Sequence, residues 1–192
     1  MLNKLRNKLD VFMGKLALKI AGSCIPVDPN AITISSLIIL LVGLALLLLT
    51  GASVVFSLFI LISGFMDVLD GAIARAMNKV SMKGAFLDST IDKVNEIIIA
   101  MALLYLGFDP IAVLLFLALS LLISYIRARA EALKLVISGI GLMERAERLI
   151  GIVAILVINT FNHDVASLML YVLLVLMAFT VIERMVFVLK RI

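Results

Sequence analysis

The sequence predicts an all-α integral membrane protein, with six transmembrane helices plus an N-terminal amphipathic interfacial helix. Three observations carry that prediction. Of the 192 residues, 64% are apolar and only 16% are charged, whereas an average soluble domain is about 45–50% apolar with glycine included. The apolar residues fall into six runs, each near the roughly 20 residues that cross a bilayer. All 17 lysines and arginines fall in four places, which alternate along the chain with turns that carry none. This composition excludes a soluble enzyme, a disordered chain and a disulfide scaffold. The single cysteine, Cys24, has no partner for an internal bridge.

The elements follow in order and read as one membrane domain, 1–192. In residues 1–22, Leu2, Leu5, Leu9, Phe12, Met13, Leu16 and Ile20 recur at three- and four-residue steps. Lys4, Arg6, Lys8, Lys15 and Lys19 lie mostly off that stripe, the pattern of a helix lying among anionic headgroups. Charge interrupts its apolar residues throughout, so it does not read as a cleavable signal peptide. After the break at Pro26 and Pro29 the first span covers about 31–50. The Thr50–Ser53 turn leads to a second span at about 54–78. The third, about 84–107, stops near Gly107 and Pro110. The fourth runs from about 110 to 137, where Ser138-Gly139-Ile140-Gly141 signals a turn. The fifth covers about 142–160 and the sixth about 164–190.

Basic residues sit in the N-terminal segment and in 75–93, 127–148 and 184–191, and are absent from the turns at 50–53, 107–110 and 159–164. Basic residues mark the cytoplasmic side. Both termini and the charged ends are therefore expected there, in a multi-pass protein of the cell membrane. The net charge of +4 points to membrane lipid and anionic ligands. No nucleic-acid-binding module is recognisable, so no nucleic-acid partner is expected.

Ionisable residues inside apolar spans are costly and mark functional sites. Asp67 and Asp70 are three apart at the basic end of the second span. Asp88 and Asp92 are four apart at the start of the third. Each pair shares a helical face, and the antiparallel order brings both pairs to one depth. Four close carboxylates need positive charge between them. Hard divalent cations take oxygen ligands, and two ions explain four acids better than one. Gly71 leaves room for a ligand against the backbone, and the Arg75 fork one turn on suits a phosphate. Two other readings compete. One is a set of structural ion pairs with Arg75, Lys79, Lys83 or Lys93; the other is a cation-coupled transporter. A transporter needs charge in the outer halves of the spans, where only Asp109 and Asp164 occur, both in turns.

The stretch DVLDGAIARAMNKVSMKGAFLDSTID resembles the signature of the CDP-alcohol phosphotransferase family. The matching positions are Asp67, Asp70, Gly71, Ala74, Arg75, Gly84, Asp88 and Asp92. The resemblance implies a phospholipid-biosynthetic transferase that moves a lipid phosphate group from a CDP-linked lipid to an alcohol and releases CMP. It implies that Asp67, Asp70, Asp88 and Asp92 hold two Mg²⁺ or Mn²⁺ ions, and that Asp92 is the general base. It further implies that Asn30, Thr33, Gly71, Arg75 and Ser81 contact the CDP-lipid, and that the protein is a homodimer.

A second cluster bears on the acceptor. Arg127, Arg129, Arg145, Arg148 and Arg184 lie towards the basic side. Convergent arginines suit an acceptor that carries a phosphate, which serine or choline does not. The other reading is ordinary positive-inside residues paired with Glu131, Glu144, Glu147 and Glu183. The Arg-x-Arg-Ala-Glu and Glu-Arg-x-Glu-Arg segments resemble the family branch whose acceptor is inositol 1-phosphate, with glycerol 3-phosphate as the alternative. The resemblance leaves the lipid open between diacylglycerol and archaeol, with general likeness leaning to archaeol. Of the remaining polar residues, His163 reads as a turn residue, Asp28 as a cap and Glu96 as an internal pair or a support to the aspartates.

Overall fold

The computed structural model describes residues 28–137 and 139–192. The expected helix at 1–22 and Cys24 lie outside the described residues. Among those described, all regular structure is helical, in six segments.

Helix α1 (Pro29–Thr50) starts at Asp28, whose carboxylate accepts from the Asn30 N–H, with Pro29 in the first turn. A capping carboxylate followed by proline is a standard helix start. Helix α2 (Ser53–Ala76) follows a tight turn through Gly51 and stops just before the turn at Asn78. Asn78 adopts φ 54°, and the Lys79 N–H returns to Ala74 O at 2.8 Å. Helix α3 (Met82–Tyr105) is capped by Ser81, whose hydroxyl accepts from the Gly84 N–H. Helix α4 (Pro110–Ala132) is capped by Asp109. Helices α5 (Arg145–Asn159) and α6 (His163–Leu189) complete the chain.

The fourth helix ends at Ala132, five residues before the expected 137. Lys134 takes φ 62°, and the Leu135 N–H bonds back to Ala130 O at 2.9 Å. That return bond closes a helix end of the Schellman type, with lysine where glycine is usual. The fifth helix starts at Arg145, after the expected 142. Residues 139–144 are strapped to α6 instead, with the Met143 N–H donating to Thr180 Oγ1 at 3.1 Å and Arg184 Nε to Ile140 O at 2.8 Å.

The helices close into a ring. Going round it, α1 packs on α2, α2 on α5, α5 on α6, α6 on α4, α4 on α3, and α3 on α1. The two acidic helices, α2 and α3, are therefore not principal packing neighbours, because α1 lies between them. Their aspartates meet across the mouth of the ring. Leu40, Phe56, Ile60, Leu103, Phe116, Ile152 and Leu170 fill its interior. Apolar residues such as Leu49, Ile111, Leu168 and Val175 cover the outside and are exposed, as expected where lipid is the solvent.

Helices α1, α2, α4 and α6 are long and apolar enough to cross a membrane. Helix α3 matches them in length but carries Lys83, Asp88, Asp92, Lys93 and Glu96. Helix α5 has 15 residues, or about 22 Å. The alternation of six helices puts the 77–81 and 133–144 connections at one end. The opposite end holds the turns after α1, α3 and α5, and there His163 packs on Phe108 with ring centroids 5.0 Å apart. The Tyr171 hydroxyl donates to Asp109 Oδ2 at 3.0 Å. That bond, then the Ile111 N–H, holds the Asp109 carboxyl below its ordinary pKa.

Candidate active site

The acidic site forms at the mouth of the ring, where the end of α2 faces the start of α3. Asp67, Asp88 and Asp92 each present a carboxylate oxygen, and the three oxygens lie within 4.8 Å of one another. Helical spacing makes this possible. Asp88 and Asp92 are one turn apart on α3, and Asp67 comes from the last turns of α2.

Asp70, the fourth aspartate expected with them, falls outside this cluster. It is buried at 5% exposure and turned towards α1, where the Thr33 hydroxyl donates to Asp70 Oδ2. Thr33 Oγ1 also lies 3.1 Å from Pro29 O. Thr33 and Asp70 were both candidate residues, but their sequence spacing gave no sign that they bond.

Arg145, the first residue of α5, sits among the carboxylates. Its Nη1 bonds to Asp67 Oδ2, and its Nη2 forms an ion pair with Asp92 Oδ1 at 2.7 Å. The expectation assigned Arg145 to the acceptor phosphate. It does line the cavity expected for the acceptor, but its charge is directed at the aspartates. One guanidinium does not balance the group. Asp67 Oδ1 and Asp92 Oδ1 are buried and receive no aligned hydrogen bond. Converging carboxylate oxygens that share a single guanidinium fit a hard divalent cation, which takes oxygen ligands and offsets their burial.

Two cavities meet at this cluster. The smaller, about 250 Å³, is lined by Asn30, Thr33, Gly71, Arg75 and Ser81, together with Asp70 and Asp88. All five residues expected to hold the CDP-lipid are thus brought to one hollow. They come from the starts of α1 and α3 and the end of α2. Gly71 faces the Arg75 guanidinium, and a Cβ there would stand 3.3 Å from Arg75 Nη1.

The larger cavity, about 540 Å³, is lined by Asp88 and Asp92 and by Arg127, Arg145, Arg148 and Arg184. Arg129 is the one expected member that does not line it. Two residues along a helix turn the side chain by about 200°, so Arg129 faces away from Arg127 and is exposed. The four lining arginines differ in their bonds. Arg127 is half exposed and pairs with Glu131 at 2.9 Å. Arg148 is buried, with Nη2 2.5 Å from Glu96 Oε1 and Nη1 donating to Met143 O at 3.1 Å. Arg184 is also buried. It donates to Ile140 O and Ile123 O and lies 3.4 Å from Glu144. The cavity wall also includes Lys93, Ser124, Glu131 and Glu144, which sequence reasoning did not select. Lys93 has a local signal in its position beside Asp92, and the sequence reads Glu131 and Glu144 only as partners of the arginines, which they are here.

Comparison with known proteins identifies the family. The profile of the CDP-alcohol phosphatidyltransferase family matches residues 27–186. The archaetidylinositol phosphate synthase of Aeropyrum pernix is 38% identical over 161 residues, covering 84% of this chain and 82% of that one. A crystal structure of Mycobacterium tuberculosis phosphatidylinositol phosphate synthase with CDP-DAG bound superposes with a TM-score of 0.76 at 28% identity. It covers 91% of this chain and 94% of that one. A second structure of that enzyme, in complex with manganese and citrate, also gives a TM-score of 0.76 at 28% identity, covering 93% and 88%.

Proposed function

The chain belongs to the CDP-alcohol phosphatidyltransferase family and is a multi-pass membrane transferase; from that premise we propose that its acceptor is inositol 1-phosphate. In this reading the lipid phosphate group of a CDP-linked lipid passes to the inositol 1-phosphate hydroxyl, and CMP leaves. The observation that carries the reading is the meeting of two cavities at one aspartate cluster. One hollow has the residues for a CDP moiety, and the other has arginines for a phosphorylated acceptor. The names of the relatives support the acceptor, and the archaetidylinositol phosphate synthases among them favour an archaeol-type lipid.

The roles follow from the chemistry of each group. Asp67, Asp70, Asp88 and Asp92 are the residues that would hold divalent ions, two in our reading. A relative in complex with manganese supports this. Such ions neutralise the pyrophosphate when bound. Asn30, Thr33, Gly71, Arg75 and Ser81 seat the CDP moiety. Arg127, Arg148 and Arg184 face the acceptor phosphate, with Arg145 at the junction. Asp92 takes the proton from the acceptor hydroxyl. The new O–P bond forms at the lipid-side phosphorus, and the P–O bond to CMP breaks. Charge stabilisation and positioning supply most of the acceleration in such transfers.

Six crossings, with this end cytoplasmic, give the reaction its setting. A lipid substrate arrives laterally and a water-soluble one from the cytoplasm. The homodimer expected for the family is part of the same proposal.

The test is CMP release by purified protein with Mn²⁺ or Mg²⁺, using CDP-archaeol and CDP-diacylglycerol. Inositol 1-phosphate, glycerol 3-phosphate, inositol and serine are screened as acceptors. Turnover is expected with inositol 1-phosphate and not with inositol. Preference for glycerol 3-phosphate would overturn the acceptor assignment.

A further inference from the structure

Glu96 lies on α3 one turn beyond Asp92 and is only 3% exposed. Each of its carboxylate oxygens meets a cation. Oε1 is 2.5 Å from Arg148 Nη2, on α5. Oε2 is 3.3 Å from Lys93 Nζ, which also donates to Ser124 Oγ on α4 at 2.8 Å. Glu96 thus joins three helices of the ring. Both of its cations line the larger cavity.

A buried guanidinium requires a counter-charge and a fixed geometry. Arg148 has five N–H groups. One goes to Glu96 and one to Met143 O, which fixes the plane of the fork and leaves three N–H groups for other acceptors. We propose that Glu96 is a positioning residue for the acceptor-phosphate subsite. It aims Arg148 and Lys93 into the cavity. Because it shares α3 with Asp92, it also sets their distance from the group that takes the proton. Four helical residues separate Glu96 from Asp92, about 6 Å along the axis. This rests on the reading above that Arg148 faces the acceptor phosphate.

Glu96→Asp keeps the charge and withdraws the carboxylate by one methylene. The acceptor KM should rise about tenfold, as for one lost charge-assisted hydrogen bond. The kcat and the CDP-lipid KM should stay within twofold. Inorganic phosphate, used as a competitive inhibitor against the acceptor, should show a parallel rise in Ki. A purely structural ion pair would instead lower the Tm and leave KM and Ki unchanged, and that result would overturn the proposal. So would a fall in kcat at constant KM. If Glu96→Asp does not fold, Glu96→Gln is read by the same two constants and the same criteria. Arg148→Gln separates the two failures. If it too leaves the acceptor KM and phosphate Ki unchanged, the acceptor-pocket reading falls and takes this role with it. If Arg148→Gln moves both constants and the Glu96 variant moves neither, only the positioning role falls.

Discussion

Replacing Arg145 with glutamine tests whether its guanidinium and divalent cations serve the same carboxylates. The side chain is 21% exposed. Its Nη1 pairs with Asp67 and its Nη2 stands 2.7 Å from Asp92. At an effective dielectric of 20, two unit charges about 4 Å apart attract by about 4 kcal/mol, so two such pairs give about 8 kcal/mol before desolvation. Removing one partner of a buried pair typically costs about 3–5 kcal/mol net. In the presence of a chelator, Arg145→Gln should therefore be markedly less stable than wild type. Bound Mn²⁺ supplies the missing positive charge, so the gap should shrink by roughly half or more at saturating metal. The Mn²⁺ affinity of the variant should exceed that of wild type, because no guanidinium has to be displaced. Thermal unfolding in detergent, with chelator and with Mn²⁺, reads the first effect, and titration calorimetry reads the second. An equal Mn²⁺-induced Tm shift in both proteins, with equal affinity, would refute the competition.

Other perturbations report on other parts of the fold. Gly141 has φ +98°, and a Cβ there would run into Thr180 Cγ2 and stand 3.5 Å from Arg184 Nε. Gly141→Ala should cost about 1–2 kcal/mol in backbone strain and about 1–3 kcal/mol in overpacking, and should raise the acceptor KM as the Ile140–Arg184 bond is lost; an unchanged Tm and KM would contradict this. Thr33→Val removes the hydroxyl that bonds to Asp70, so the CDP-lipid KM should rise several-fold while the acceptor KM holds, and the reverse split would count against the two-cavity reading. The Tyr171 hydroxyl lowers the folded pKa of Asp109. That stability is present above the unfolded-state pKa and is lost as pH falls through the folded one. Tyr171→Phe should thus lower the Tm near neutral pH, and its difference from wild type should vanish in acid; a pH-independent difference would discount the bond.

What the sequence revealed follows from periodicity and cost. Two aspartates three apart and two four apart inside apolar runs are legible because a helix puts them on one face and lipid makes them expensive. The five residues expected at the CDP-lipid come from the resemblance, and the structure shows only that they line one hollow. Asn30, Thr33, Gly71, Arg75 and Ser81 sit at helix ends whose order along the chain already brings them to one side. The same periodicity separates Arg127 from Arg129, which the sequence reading groups together at the acceptor. Two residues of separation put one in the cavity and the other outside it. The early stop of α4 was not legible, because Lys134 rather than glycine takes the left-handed turn.

The pairing of helices was the harder part. In a soluble protein the apolar stripe tells which face is buried. Here the lipid-facing and ring-facing residues are equally apolar, so Leu168 and Leu170 look alike in sequence, though one is exposed and the other buried. The contacts of α2 with α5 and of α4 with α6 therefore leave no periodic trace. Those contacts decide where three arginines direct their charge. Packing α5 against α2 brings Arg145 to Asp67. The Arg148–Glu96 pair links α5 to α3 across the ring, and the return of α6 to α4 brings Arg184 to Ile123 O. Asp67, Asp88 and Asp92 could be grouped from sequence because they lie on consecutive helices, whereas Asp70 turns to Thr33 instead. Of the cavity arginines only Arg127 has an ion-pair partner on its own helix, Glu131; those of Arg145 and Arg148 come from other helices and leave no local trace.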